Sequence, residues 1–151
     1  GGAPGGRLLP RALGGRLRGT PGTERWGGSV RVADLEAARH WFGDLAEFQA
    51  FHWHGETFSL PPGAVRILSS QHCANQAFVL GPHLGMQCHV EMTDAMICDW
   101  CVLGAEEIAA ADSCPAVQTP AAMLALNDAN LPSLGQVADR LYARWVEGLA
   151  K

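Results

Sequence analysis

Nothing in this 151-residue sequence approaches the run of ~18 apolar residues that a membrane-crossing helix needs. The apolar run of a secretory signal is also lacking. Charge is sparse: Asp, Glu, Lys and Arg make up 17% of the chain, against 48% hydrophobic residues. Such a balance supplies a core and excludes a chain that is disordered throughout. There is no internal repeat, and the 18 Gly and 9 Pro follow no collagen period. A net charge of −4 leaves no broad basic surface for nucleic acid. Five cysteines are an odd set, and Cys98-x-x-Cys101 has no second CxxC to complete a zinc site. They read as reduced thiols of a cytoplasmic protein, Cys98 and Cys101 as core thiols, with no metal and no cofactor implied.

The length is that of one domain, or of a large piece of one. The chain opens on Gly1 rather than Met, which predicts a piece of a longer translation product. Its charge is uneven. Residues 1–32 carry +5, with six Arg and one acid, and residues 33–151 carry −9. Without interleaved aromatics, the basic start offers nucleic acid only phosphate affinity.

Apolar spacing predicts a short helix over 5–17, ending at Gly14 and Gly15 and burdened by Pro10. Residues 29–33 alternate like a strand. Asp34 and Gly43 bracket a short helix. Strand signals follow at 48–54, 64–70, 75–81 and 84–90, separated by turn residues. Helical patterns then cover 93–103, 105–112, 120–129 and 133–150. In the last, Ser133 and Gln136 suggest a capping box, and Leu134, Val137, Leu141, Trp145 and Leu149 form one stripe. Trp41, Trp53, Trp100 and Trp145 read as core. Strands followed by helices indicate an α/β domain.

The chemistry is densest in GMQCHVEMTDAM (85–96). His89 and Glu91 are two apart at the end of a strand pattern, so both side chains leave one face. A carboxylate there accepts the proton of one imidazole nitrogen, fixes the tautomer and leaves the other nitrogen as a base. His52 and His54, with His72 or His83, are a weaker, metal-binding alternative that needs three or four converging ligands.

Upstream of QCHVEMT lies FHWHGETFSLPPGAVRILSSQHCANQAFVLG (51–81). Together these segments resemble class I glutamine amidotransferases, most closely stand-alone enzymes similar to the amidotransferase domain of GMP synthase. The resemblance implies a flavodoxin-like α/β fold, here incomplete because the N-terminal strands are missing. It also implies that His89 and Glu91 belong to a Cys-His-Glu triad, and that His54, Gly55 and Glu56 help to hold the substrate glutamine. The implied reaction is hydrolysis of the glutamine side-chain amide to release ammonia, passed on to an ammonia-accepting synthase partner.

The nucleophile elbow of the resemblance falls on GGAPGGRLLPRALGG, where Ala3 stands at the cysteine position. Ala3 has no nucleophilic atom, Pro4 has no N–H for an oxyanion, and Arg7 replaces the elbow glutamine. The chain as written is therefore expected not to hydrolyse glutamine. Two explanations stand: a degenerate enzyme kept as a non-catalytic ligand-binding or regulatory remnant, or a fragment with a corrupted start. The expected organisation is 1–27 as a degenerate elbow or basic leader, 28–112 as the α/β core, and 113–151 as a helical extension.

Overall fold

The structure, a computed structural model, describes residues 9–25, 28–111 and 113–149. Ala3, Pro4 and Arg7 lie outside the described residues. Residues 9–12 make a helical turn that stops at Gly14, whose φ of 88° suits a residue without a Cβ. Strands β1 (Leu17–Arg25) and β2 (Gly28–Val32) follow, then α1 (Leu35–Phe42), β3 (Glu47–Ala50), β4 (Trp53–Phe58), β5 (Val65–Ser70), β6 (Ala77–Leu80) and β7 (His83–Met86). The remaining elements are helices: α2 (Asp94–Leu103), α3 (Ala105–Ala110), α4 (Pro120–Ala125) and α5 (Asn127–Leu149).

Turn length decides the topology. Only Gly81, at φ 55°, and Pro82 separate β6 from β7, and so short a link joins only antiparallel neighbours. The same antiparallel sense runs through a five-stranded sheet of order β3-β2-β5-β6-β7, and β1 pairs antiparallel with β4 in a second, two-stranded sheet. The parallel ladders of a flavodoxin-like sheet are not among the pairings of the described residues. The α/β class holds, and the part of it described is the antiparallel part.

The continuous strand expected over 48–54 is two strands. β3 pairs with β2 and β4 with β1, so the chain changes sheets at Phe51 and His52. At that crossover the Phe51 N–H donates to the His89 carbonyl (3.0 Å) and the His89 N–H to the Phe51 carbonyl (2.8 Å).

Local signals set most helix ends. Asp34 accepts the Ala37 N–H at 2.9 Å and opens α1, and Gly43, at φ 63°, closes it. Arg140 of α5 donates to the Phe42 carbonyl at 3.1 Å there. Thr93 caps α2 through the Met96 N–H, and Thr119 caps α4 ahead of Pro120. The helix expected from Ser133 begins six residues earlier, at Asn127, and runs through Pro132. Ser133 is no cap: its hydroxyl donates to the Asn130 carbonyl at 2.9 Å. Buried Asn127 instead donates to Asp94 at 2.8 Å, tying the starts of α2 and α5 together.

One hydrophobic core joins the five-stranded sheet to the helices, through Val30, Phe42, Phe51, Ile67, Leu68, Ile97, Met123, Leu134, Val137 and Leu141. Each large apolar side chain fully buried in this way contributes about 1.5–3 kcal/mol. Trp41 and Trp53 are in this core, and Trp100 packs against it. Trp145 is a correction: it is 53% exposed and Leu149 67%, because the core ends near Leu141 while the helix continues. Cys101 is buried and Cys98 half-buried. Among the described residues no helix is long and apolar enough to cross a membrane.

Candidate active site

β7 ends at Met86, and the chain then runs to the Phe51–His89 bridge. That bridge fixes the main chain of His89, while ring contacts fix its side chain. The imidazole stands edge-on to Trp100, with centroids 5.2 Å apart, and to Phe51 at 6.2 Å. Phe51 and Trp53 stack at 6.2 Å, and Trp100 meets both edge-on. The ring of His89, 6% exposed as a residue, is thus walled by Phe51 and Trp100, which Trp53 in turn packs against.

On the other side lies Glu91. Its Oε1 is 2.6 Å from His89 Nδ1, and its Oε2 accepts the Val90 N–H at 3.0 Å. Burial alone would raise the Glu91 pKa. The His89 hydrogen bond and charge, with bonds from the Glu91 and Val90 backbone, outweigh it and hold the carboxyl below its ordinary value. A carboxylate at Nδ1 keeps the proton on that nitrogen and leaves Nε2 as the ring nitrogen not committed to Glu91.

His89 and Glu91 line a cavity of about 450 Å³ together with His54 and Glu56 of β4. Gly55, between them, does not line it. His54 is 7% exposed and clamped by two glutamines. Gln87 Nε2 lies 2.9 Å from its Nδ1, and Gln76 Nε2 lies 3.3 Å from its Nε2. Gln76 also donates to Ser70 at 3.0 Å. The two glutamines were not foreseen as site residues, although Gln87 stands in the QCHVE segment. Tyr142 of α5 was missed too. It lines the cavity, and burial, then the Glu91 charge, raises its pKa. The histidines proposed as an alternative metal site do not gather. His52 sits 5.8 Å from His54, ring to ring, and its Nε2 is 3.3 Å from the Gly28 carbonyl. Among the described residues, no three His, Cys, Asp or Glu are placed to hold a metal ion.

No family model and no curated protein matches the sequence. Solved structures do. A glutamine amidotransferase from Methylobacillus flagellatus superposes with a TM-score of 0.91 at 40% identity, over 98% of this chain and 61% of that one. This is a glutamine amidotransferase fold. A glutamine amidotransferase from Thermotoga maritima shares it at TM-score 0.82 and 24% identity, over 94% of this chain and 59% of that chain. A putative GMP synthase component from Thermoplasma acidophilum shares less of it, at TM-score 0.52 and 21% identity, over 58% of this chain and 44% of the other. The chain therefore spans about three fifths of the length of the first two amidotransferases.

Proposed function

We propose that this chain carries the acid–base half of a glutamine amidotransferase site and does not hydrolyse glutamine on its own. The 2.6 Å contact of His89 Nδ1 with Glu91 in a cavity shared with His54 and Glu56 is the observation that carries the reading. In amide hydrolysis by acyl transfer, a nucleophile attacks the amide carbon, and the leaving nitrogen departs as ammonia only if it is protonated. His89 is the group for that proton. Glu91 orients the ring and stabilises its charged form. His54 and Glu56 hold the substrate glutamine, with Gln87 and Gln76 keeping the His54 ring in place. Ammonia released at such a site is taken up by a synthase partner.

The nucleophile is what the chain lacks, since Ala3 stands at its position and cannot form an acyl intermediate. Loss of an oxyanion donor alone typically costs ~10²–10³ in rate, and loss of the nucleophile far more. The remaining capacity is to bind glutamine.

Two measurements on the 151-residue chain test this. Ammonia release from glutamine should stay at the uncatalysed rate; turnover abolished by His89→Ala would overturn the assignment of inactivity. Glutamine titrated into ¹⁵N-labelled chain should move the amides around Glu56 and His89 saturably, and Glu56→Ala should weaken it. No saturable shift there would remove the binding role.

A further inference from the structure

A second cavity, of about 430 Å³, lies apart from the His89–Glu91 pair and shares none of its lining. The start of β2, His52, the end of β5 with the two residues after it, and Pro115, Ala116 and Gln118 form its walls. Its charge is unusual for this chain. Residues 33–151 carry −9, yet among the described residues no carboxylate lines this cavity, and Arg31, His52 and His72 do. Glu47 touches Arg31 from outside at 3.7 Å, but with side chains 61% and 80% exposed that pair is loosely held and leaves the guanidinium able to bind elsewhere.

Two of the lining side chains, moreover, have unsatisfied oxygens. Ser29 Oγ and Gln118 Oε1 are buried and make no hydrogen bond among the described residues. A buried polar atom without a protein partner is rarely tolerated in folded chains unless ordered water or a bound group completes it. Both residues line the cavity. Because Gln118 Oε1 can only accept, its partner must be a donor. Arg31, by contrast, can only donate, and its planar fork matches an oxyanion.

We propose that this cavity binds a small polyhydroxylated oxyanion, with the charged end at Arg31 and His72 and hydroxyl groups at Ser29 and Gln118. The volume is that of an ordinary small-molecule site and exceeds what a bare inorganic anion fills. A sugar phosphate and a sugar acid present the same chemistry. Nothing in this inference depends on glutamine hydrolysis.

The test is a titration of ¹⁵N-labelled full chain with ribose 5-phosphate and with gluconate, and with inorganic phosphate as the bare anion. At least one hydroxylated anion should shift the amides of Ser29, His72 and Gln118 saturably, and the stronger arm identifies the charged group. Arg31 is exposed, so Arg31→Gln should fold as the parent does and weaken that binding about tenfold, as expected for loss of a charged hydrogen bond. Gln118→Leu should weaken the hydroxylated ligand and leave inorganic phosphate unchanged. Three results would overturn the proposal: no saturable shift with either hydroxylated anion, binding indifferent to Arg31→Gln, or inorganic phosphate binding as tightly as ribose 5-phosphate, which marks an adventitious ion only.

Discussion

Gly104 joins α2 to α3 with its N–H donating to the Trp100 carbonyl at 2.8 Å. Its φ of −97° is open to any residue, so nothing in the backbone requires glycine. Space does. A Cβ at this position would overlap Cζ2 of Trp53 and lie 2.6 Å from its Cη2 and 2.9 Å from the Trp100 carbonyl oxygen. Trp53 cannot swing away, because it is 6% exposed, packed against Phe51 and Trp100, and bonded through Nε1 to Glu107 at 3.3 Å. Overpacking of this kind costs ~1–3 kcal/mol. Alanine recovers about 0.4–1 kcal/mol by restricting the unfolded chain. Gly104→Ala should therefore destabilise by about 1–2 kcal/mol, a fall in Tm of roughly 2–8 °C for a domain of this size. Thermal and urea unfolding followed by circular dichroism measure it. The clashing atoms belong to the outer ring of the indole, which phenylalanine lacks. In a Trp53→Phe background the cost of Gly104→Ala should accordingly fall, leaving only the contact with the Trp100 carbonyl oxygen. A Gly104→Ala chain that melts at or above the parent, or costs that simply add in the double variant, would refute the reasoning.

Glu91 titrates below its ordinary value in the fold, so it stabilises the folded state above its unfolded pKa of ~4.3, and that contribution is lost as pH falls through the folded pKa. Urea midpoints of parent and Glu91→Gln should differ at pH 7 and converge on acidification; a gap independent of pH would contradict the ion pair. Leu141→Ala, at a buried position, should cost ~2–5 kcal/mol, whereas Trp145→Gln one turn later should stay within about 0.5 kcal/mol, both read from chemical denaturation. Phe51→Ala should cost ~3–5 kcal/mol and also broaden the His89 ring signals in NMR, because Phe51 touches that ring. Stability loss with unchanged His89 signals would mean that Phe51 does not position the imidazole.

What could be read in advance was local. Asp34 and Gly43 announce α1 because a cap and a positive-φ stop are made within a few residues of where they are written. His89 and Glu91 announce a pair because two residues cannot separate far along a backbone. The errors share one cause, which is that a pattern does not name its partner. FQAFHWH alternates through 48–54 as one strand would, yet its two halves bond to β2 and to β1. Ser133 and Gln136 have capping-box spacing, but the start of α5 is set by Asn127 and Asp94, 33 residues apart. The α5 stripe keeps its period through Trp145 and Leu149 after the core has ended, since periodicity reports a helix and not what covers it. Within the site, Gln87 and Gln76 escaped notice because their reason for being there, the His54 ring, reaches them only through the fold.

The bridge between Phe51 and His89 has a consequence for how this molecule opens. Its two hydrogen bonds are made by the same two residues in both directions, so separating the two segments breaks both together. In deuterium exchange, residues 51 and 89 should lose protection as one cooperative unit, although they stand 38 positions apart in the chain. That unit sits where the chain passes from one sheet to the other. Fluctuation of either sheet is therefore felt at the imidazole, and slow exchange at Phe51 is a direct gauge of the fraction of time for which the candidate base is in place.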